Sequence, residues 1–371
     1  MAKAIQEFLK IAVDADASDL HITTYIAPRI RVHGALKSID HPPLSPMETK
    51  ELVYSILTDK QKKIFEEKLE LDFSFGMKDL GRFRVNVFQQ RGAVAAAFRR
   101  FLPSMWSFAQ LGIPQRVAQL CFLPRGLVLV TGPTGCGKST SLACMIEHIN
   151  SERPVHIVTI EDPIEYYLTP RKAIINQREL YADTHSYANA LRSVLREDPD
   201  VVLVGEMRDL ETVEASLRVA ETGHLTFSTL HTNSAVESIS RIIDIFPSQY
   251  QTQVRIMLSM SLEAVLTQAL LPRADGKGRV LAMEIMIPNP AIRSLIRESK
   301  FHQIYSTMQM GQEKFGMQTF NQSLASLYYR KLVSLDMIMS VSSYPEELTD
   351  IIQRRDGIKI APGGSAGLSR K

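Results

Sequence analysis

The segment of residues 132–139 restricts the fold of this 371-residue chain more than any other part of the sequence. Its letters GPTGCGKS match the pattern G-x-x-x-x-G-K-[ST] at every fixed position. An apolar run, Leu127–Thr131, precedes the segment, and a helix-compatible run, Thr140–Asn150, follows it. A glycine-rich loop between a buried strand and a helix is typical of α/β proteins with a parallel sheet, so we expect that fold.

Each residue type in the segment suits phosphate binding. Glycines let backbone N–H groups converge on a β-phosphate, and the next helix presents its positive end to the anion. We expect Lys138 to reach the β- and γ-phosphates and the Ser139 hydroxyl to ligate Mg²⁺, so the predicted cofactors are ATP and Mg²⁺. A chance match in a glycine-rich turn is the alternative, and the two flanks argue against it. The residues predicted to bind the nucleotide are Gly132, Pro133, Thr134, Gly135, Cys136, Gly137, Lys138, Ser139 and Thr140.

Two glutamates follow apolar runs downstream of this loop. Val155–Ile160 leads into Glu161, and Val201–Val204 is followed by Gly205 and Glu206. Acids at the carboxyl ends of parallel strands lie at the edge where α/β sheets bind ligands. We expect Glu206 to orient and polarise an attacking water, and Glu161 to assist it or to hold metal-bound water. Gly205 stands where many P-loop ATPases have a Mg²⁺-holding aspartate, which leaves the metal role of that strand open.

One histidine and two pairs of arginines add to the predicted site. His231 follows the apolar run Leu225–Leu230, so it is expected to face the nucleotide and to sense the γ-phosphate, with a structural role as the alternative. Arginines 192 and 196 are expected to share a face of one helix. Arg82 and Arg84 alternate along a strand and therefore share a face. All four are candidates for stabilising transition-state charge, and a surface ion pair is the alternative for each.

Hydrophobic patterning predicts two domains. Residues 1–100 form a small α+β domain, residues 101–114 a linker, residues 115–355 the domain with the phosphate loop, and residues 356–371 a mobile tail. Short apolar runs between helical segments predict a parallel sheet covered on both faces. The strands expected in the first domain are Leu20–Thr24, Arg29–His33, Leu71–Phe75, Arg82–Gln89 and Val94–Arg99. The helices expected in the chain are one that begins near Ile5 and ends near Asp14–Ser18, Ser45 to about Leu69, Gln249–Leu270, Asn289–Ser299, Met317–Tyr329 and Leu335–Ser340.

Composition argues against several other kinds of protein. A net charge of +3, with 45% hydrophobic and 22% charged residues, is typical of a soluble globular protein and gives no support for nucleic-acid binding. No apolar run approaches the roughly 20 residues that span a bilayer, and the N-terminus lacks the layout of a signal peptide. The three cysteines form no CxxC pair, which argues against a disulfide framework and a four-cysteine zinc site. We expect a cytoplasmic protein that can attach peripherally to a membrane complex.

With these residues in view, the chain resembles the secretion-type ATPases of bacterial type IV pilus and type II secretion systems. Four segments are similar to that family's Walker A, Asp box, Walker B and His box motifs, and they are Gly132–Ser139, Thr159–Tyr166, Asp200–Asp209 and Ala220–Thr232. Residues 291–298, AIRSLIRE, are close to the AIRNLIRE motif of retraction ATPases, with Ser294 in place of asparagine. The start at the small N-terminal domain and the lack of a tetracysteine module also resemble retraction ATPases.

The resemblance implies a PAS-like α+β N-terminal domain followed by a RecA-like P-loop ATPase domain with a helical C-terminal part. It also implies a homo-hexamer in which the N-terminal domain clamps nucleotide, so that Arg82 or Arg84 acts as an arginine finger. The implied function is ATP-driven retraction of type IV pili beneath an inner-membrane platform protein, with a paralogous retraction ATPase as a further candidate partner. The alternatives are an extension or secretion ATPase, a nucleotide-gated regulatory protein, and, least favoured by composition, a nucleic-acid translocase.

Overall fold

The computed structural model describes residues 4–32, 34–101 and 106–356. The chain forms two compact units. One is Met1–Met105 with Asp162–Tyr167, and the other is Trp106–Glu161 with Leu168–Lys371. Residues 102–105 of the predicted linker and residues 357–371 of the predicted tail lie outside the described residues. Among the described helices, none is both long and apolar enough to cross a membrane.

The first unit is an α+β domain built on an antiparallel sheet. Its helices are α1 (Ile5–Asp14), α2 (Pro46–Tyr54) and α3 (Asp59–Lys68). Its strands are β1 (Asp19–Ile22), β2 (Arg29–Val32), β3 (Ala35–Ser38), β4 (Glu70–Met77), β5 (Gly81–Gln90) and β6 (Ala93–Arg100). They lie in the order β3-β2-β1-β6-β5-β4, and each neighbouring pair is antiparallel.

The helix predicted from Ser45 to about Leu69 is wrong as a single element. Ser45 caps α2 as predicted, through a reciprocal capping box with Glu48. A second capping box joins Thr58 and Gln61, and it begins α3. One helix therefore ends and another begins between residues 55 and 58, because the Thr58 side chain accepts a hydrogen bond from the backbone N–H of Gln61 in a new first turn. Strand β3, whose side chains are exposed along its length, was not predicted.

Sequence periodicity places the core of the first unit correctly. Apolar residues of α1 recur at helical spacing and bury one face of that helix against the sheet. Phe83, Val85 and Val87 alternate along β5 and are buried, so the intervening Arg82 and Arg84 point to the opposite face. The two arginines thus share a face, as the alternation predicts.

The second unit has a mostly parallel sheet. Its strands are β7 (Gly126–Thr131), β8 (His156–Glu161), β9 (Ile174–Glu179), β10 (Val201–Val204), β11 (Leu225–Leu230), β12 (Leu262–Pro272) and β13 (Arg279–Met286). They lie in the order β13-β12-β7-β11-β10-β8-β9. Every neighbouring pair is parallel except β12 and β13.

Helices cover both faces of this sheet. Alternate residues of β7 belong to two separate cores, with Leu127 and Leu129 in one and Val128 and Val130 in the other. The helices are α4 (Phe108–Leu111), α5 (Gln115–Ala118), α6 (Lys138–Glu152), α7 (Tyr187–Val194), α8 (Leu210–Glu221), α9 (Ala235–Asp244), α10 (Ser248–Ser261), α11 (Pro290–Arg297), α12 (Ile304–Met310), α13 (Gln312–Phe315), α14 (Phe320–Tyr329), α15 (Leu335–Val341) and α16 (Pro345–Asp356). Two short 3-10 turns are Gln119–Phe122 and Phe301–Gln303.

The predicted helix Gln249–Leu270 is wrong over its second half. Helix α10 ends at Ser261, and β12 begins at Leu262. Residues 264–268 are all buried, and residues 265–267 pair with β7 on one side and β13 on the other. A continuous buried run of this kind cannot be told from a buried helix by periodicity alone.

The helical face predicted for Arg192 and Arg196 is also wrong. Helix α7 ends at Val194, and Arg196 lies beyond it. Residue Asp198 precedes a proline and has a φ of 54°, a conformation that does not continue a helix. Arg192 lies 3.6 Å from Glu211 in an exposed ion pair, which agrees with the surface alternative.

Candidate nucleotide site

The phosphate loop connects β7 to α6 in the way the sequence predicts. Gly132, Gly135 and Gly137 all have positive φ angles, which are 138°, 80° and 90°. Glycine adopts such angles without steric strain. A Cβ atom added at Gly132 would lie 2.3 Å from the carbonyl oxygen of Gln268, so no larger residue fits there.

Lys138 begins α6, and its side chain is folded over the loop. Its Nζ atom donates hydrogen bonds to the carbonyl oxygens of Gly132 at 2.8 Å and Pro133 at 3.2 Å. Only 9% of the residue is exposed. A buried ammonium group at a helix N-terminus, beside backbone N–H groups, is well suited to attract phosphate. The adjacent Ser139 is an exposed residue in the first turn of α6.

The sequence did not reveal that β12 supports this loop. Gln268 is almost completely buried; its Nε2 donates to the carbonyl oxygen of Cys136 at 2.9 Å, and its Oε1 accepts from the Ser141 hydroxyl at 3.0 Å. Thr131 donates to the hydroxyl of Thr267 at 2.9 Å. The signal that could have found this support is the polar pair Thr-Gln inside an apolar run, because buried polar side chains require partners.

His231 and Glu206 are brought together with the loop. The Nε2 atom of His231 lies 3.2 Å from Oε1 of Glu206. Its Nδ1 atom lies 3.4 Å from the Thr134 hydroxyl and 3.5 Å from Nζ of Lys138. An imidazole that donates from Nε2 to Glu206 leaves the lone pair of Nδ1 to accept from either Lys138 or Thr134. The Lys138–His231–Glu206 chain therefore links the phosphate loop to the carboxylate predicted to polarise water.

The second oxygen of Glu206 is also engaged. Nε of Arg208 lies 2.8 Å from Oε2 of Glu206. Only 18% of the Glu206 side chain is exposed, whereas 71% of the Arg208 side chain is. This partner is two residues along the chain from Glu206, and no sequence pattern distinguishes it from the other arginines.

The backbone around Glu206 is fixed by its neighbours. The N–H of Gly205 donates to the carbonyl oxygen of Ile160 at 2.8 Å, and the Thr229 hydroxyl donates to the carbonyl oxygen of Gly205 at 2.6 Å. A Cβ at Gly205 would lie 2.8 Å from the Tyr187 hydroxyl oxygen and 3.3 Å from the Ile160 carbonyl oxygen. Close packing of this strand end accounts for glycine at the position where other ATPases have aspartate.

Glu161 lies at the end of β8, with its carboxylate fixed in place. Its Oε1 accepts hydrogen bonds from the Thr159 hydroxyl at 2.7 Å and from Nε2 of Gln177 at 3.2 Å. These donors come from β8 and β9. The carboxylate is thus oriented from the same strand and from the neighbouring edge strand.

Arg82 and Arg84 contact residues of their own unit. Arg84 forms an ion pair with Asp72 on β4, and this hydrogen-bonded partner holds the pKa of Arg84 above its usual range. Arg82 hydrogen-bonds to the Ser74 hydroxyl, and its guanidinium carbon lies 4.2 Å from the centre of the Tyr167 ring. Tyr167 ends the segment Asp162–Tyr167, which follows Glu161 in the chain and belongs to the first unit.

The phosphate loop, the parallel sheet and the Lys138–His231–Glu206 chain define a P-loop ATPase. The chain belongs to the family described as Type II/IV secretion system protein, whose pattern matches residues 1–330. Its fold is the one predicted, with a PAS-like N-terminal domain and a RecA-like ATPase domain that has a helical C-terminal part.

Three known proteins are similar over most of the chain. The type IV pilus retraction ATPase PilT of Pseudomonas aeruginosa is 48% identical over 342 residues, which are 92% of this chain and 99% of that protein. The twitching motility protein of Neisseria gonorrhoeae is 51% identical over 310 residues, with 84% of this chain and 83% of that protein covered. A crystal structure of the pilus retraction motor PilT with bound ADP has a TM-score of 0.89 and 52% identity, covering 94% of this chain and 99% of that chain.

Proposed function

We propose that this chain is an ATP-hydrolysing motor that powers retraction of type IV pili and thereby twitching motility. The observation that carries the chemical part is the contact chain from Lys138 through His231 to Glu206. It connects a phosphate-binding loop to a carboxylate through one neutral imidazole. The similarity to a retraction ATPase and to a twitching motility protein supports the mechanical part.

The residues act in sequence in this proposal. Nucleotide binding exchanges the Gly132 and Pro133 carbonyl oxygens on Lys138 for phosphate oxygens, because a charged donor bonds an anion more strongly than a neutral carbonyl. Movement of Lys138 changes the environment of Nδ1 of His231, so the imidazole reports the γ-phosphate to Glu206. Glu206 then accepts a hydrogen bond from the attacking water, because its two carboxylate oxygens offer about four lone-pair sites and can accept from water in addition to Arg208 and His231.

Magnesium has suitable ligands on this chain. The Ser139 hydroxyl, next to Lys138, is the direct protein ligand in this proposal, and Glu161 holds a metal-bound water. Such a set fits Mg²⁺, which keeps several waters and binds through one or two protein oxygens together with substrate phosphates. When bound, the ion neutralises charge that develops on the phosphates.

The motor is a ring of six copies in this proposal, located on the cytoplasmic side of the inner membrane beneath a platform protein. Arg82 or Arg84 serves as an arginine finger toward bound nucleotide. Arg84 must then exchange its bond to Asp72 for a phosphate oxygen, whereas Arg82 must leave the Tyr167 ring. A paralogous retraction ATPase is a further partner, and nucleic acid is not.

A deletion strain tests the direction of the motor. Surface pili are counted by electron microscopy and twitching is measured on agar, with the wild-type gene restored as a control. Excess pili without twitching supports retraction. An absence of pili indicates an extension ATPase and contradicts the proposal. Restoration by wild-type protein but not by Lys138→Ala ties the phenotype to nucleotide binding.

A further inference from the structure

A buried carboxylate lies outside the residues assigned so far. Glu284 is on β13, and only 3% of the residue is exposed. One of its oxygens accepts a hydrogen bond from the backbone N–H of Ala235 at 2.7 Å, and the backbone N–H of Phe320 lies close enough to lower the pKa of the same carboxyl group. These two residues are the first residues of α9 and α14. Glu284 thus ties together the N-terminal ends of two helices, where the helix dipoles favour a negative charge.

Glu284 is connected to the nucleotide site from two directions. It pairs directly with Thr267 across β12 and β13, and Thr267 pairs in turn with Thr131 of β7. Directly paired residues share a face of a sheet, so these three polar side chains form a row that ends one residue before the phosphate loop. Ala235 lies four residues after His231 in the chain. The carboxylate therefore holds the segment that carries the imidazole.

On its other side, Glu284 is connected to the C-terminal helices. Asn321, the residue after Phe320 in α14, donates to Oε2 of Glu347 in α16 at 2.8 Å. The Tyr305 hydroxyl donates to the same oxygen at 2.6 Å, and Gln309 donates to the other carboxylate oxygen at 2.7 Å. Helices α12, α14 and α16 are thus joined through Glu347. Tyr305 and Glu347 are also the titratable groups that face the Glu284 end of this network.

The charge on Glu284 is important for this junction. Either oxygen of a carboxylate can accept from a backbone N–H, whereas a glutamine of the same shape has only one accepting oxygen and adds an N–H₂ donor that cannot bond a backbone N–H. Burial raises the pKa of Glu284 to about 7, while the two backbone donors lower it. The charged form is therefore held by two helix ends in a site that otherwise disfavours it.

We propose that Glu284 is a positioning residue that couples the His231 segment to the C-terminal helices α14 and α16. Nucleotide-dependent movement of His231 shifts the start of α9, and the shared carboxylate passes that shift to the start of α14. The expected effect of Glu284 on the rate of ATP hydrolysis rests on the proposed ATPase function. The physical coupling of the two helix ends does not require turnover and can be measured separately.

The test compares wild-type protein with Glu284→Gln and with the control Glu347→Gln. The control removes a half-buried carboxylate in the same C-terminal network, without a bond to α9. Hydrogen exchange is followed in peptides covering residues 231–240 and 317–326, with and without Mg²⁺-ADP. In parallel, kcat and KM for ATP are measured from pH 5.5 to pH 9, and thermal unfolding shows whether each variant is folded.

We expect ADP to slow exchange at both peptides in the wild type and in Glu347→Gln, but only at the first peptide in Glu284→Gln. We expect kcat of Glu284→Gln to fall about tenfold with KM changed less than about twofold, because positioning rather than binding is lost. The wild-type pH profile should contain a step near neutral pH that this variant lacks.

Equal protection of the second peptide in wild type and Glu284→Gln would overturn the inference, as would an absence of protection in the wild type. An equal loss of kcat in both variants would also overturn it, since that result indicates general destabilisation. A wild type that binds ADP and transmits protection but releases no phosphate contradicts the proposed function and leaves the coupling supported.

Discussion

At the scale of single residues, the imidazole of His231 connects the phosphate loop to the carboxylate of Glu206. One ring nitrogen faces Glu206 and the other faces Thr134 and Lys138. The position of His231 at the end of β11 predicts that it faces the nucleotide, since the phosphate loop and Glu206 also lie at the carboxyl edge of the sheet. The partners themselves could not be predicted, because they depend on which strands become neighbours.

Replacement of His231 by alanine should lower kcat by about tenfold or more, with a smaller change in KM, because Glu206 loses its orienting donor while the loop remains. Steady-state phosphate release measures this. His224→Ala is the matched control, since that histidine precedes β11 and bonds to the carbonyl oxygen of Val219. Similar losses in the two variants would show that His231 is merely structural.

The buried carboxylate of Glu284 should make stability depend on pH. Its pKa in the folded protein is about 7, above the 4.5 of an exposed glutamate. As pH rises from 4.5 to 7, the unfolded chain releases this proton and the folded protein retains it, so stability falls. Relative to Glu284→Gln, the wild type should lose about 3 kcal/mol over this interval and little more above pH 7. Urea unfolding of both proteins across this range measures the difference, and parallel pH curves would contradict it.

At the scale of elements, short sequence patterns predicted the strands and helix caps that are determined within a few residues. The strands β10 and β11 and the cap of α2 are confirmed, because short apolar runs and a capping box are complete within a few residues. The segment read as the end of a long helix is instead β12, which is stabilised by pairing with β7 and β13. Edge strand β9 was missed as well, because its letters IINQRE form neither an alternating pattern nor a continuous apolar run and the strand is stabilised by pairing with β8.

Strand β12 should affect nucleotide affinity although it is outside the loop. Gln268→Ala leaves the Cys136 carbonyl and the Ser141 hydroxyl without their buried partner, so the loop loses its fixed shape. We expect binding of a fluorescent ADP analogue to weaken by about tenfold. Gln249→Ala, an exposed glutamine on α10, is the control and should bind as the wild type does. Unchanged affinity in Gln268→Ala would exclude this supporting role.

At the scale of the whole molecule, helix α11 has one face that stabilises the fold and another that can take part in pilus retraction. Ile292 and Ile296 are completely buried in the core, whereas Ala291 and Arg297 are exposed. The AIRSLIRE segment therefore has one face that packs in the core and another that is available to a partner. The sequence predicts a helix here, over Asn289–Ser299, but it does not predict what the exposed face contacts.

The two faces of α11 should give different phenotypes. Arg297→Glu changes only exposed charge, so purified protein should keep wild-type ATP hydrolysis, while a strain carrying it should lose twitching. Ile296→Asp buries a charge in the core and should destabilise the fold by several kcal/mol. This variant should therefore lose both ATP hydrolysis and twitching. Thermal unfolding, phosphate release and agar motility distinguish the two. Normal twitching with Arg297→Glu would remove the exposed face from the motor.

Steady-state phosphate release by purified Glu206→Gln tests the catalytic role of Glu206 most directly. Glu221→Gln, which changes an exposed carboxylate on α8, is the control. Nucleotide binding is measured on the same samples, so that loss of chemistry is separated from loss of affinity. We predict at least about a 100-fold fall in kcat for Glu206→Gln, with ADP affinity kept and the control unaffected. Hydrolysis by Glu206→Gln at the wild-type rate would contradict the claim that Glu206 polarises the attacking water.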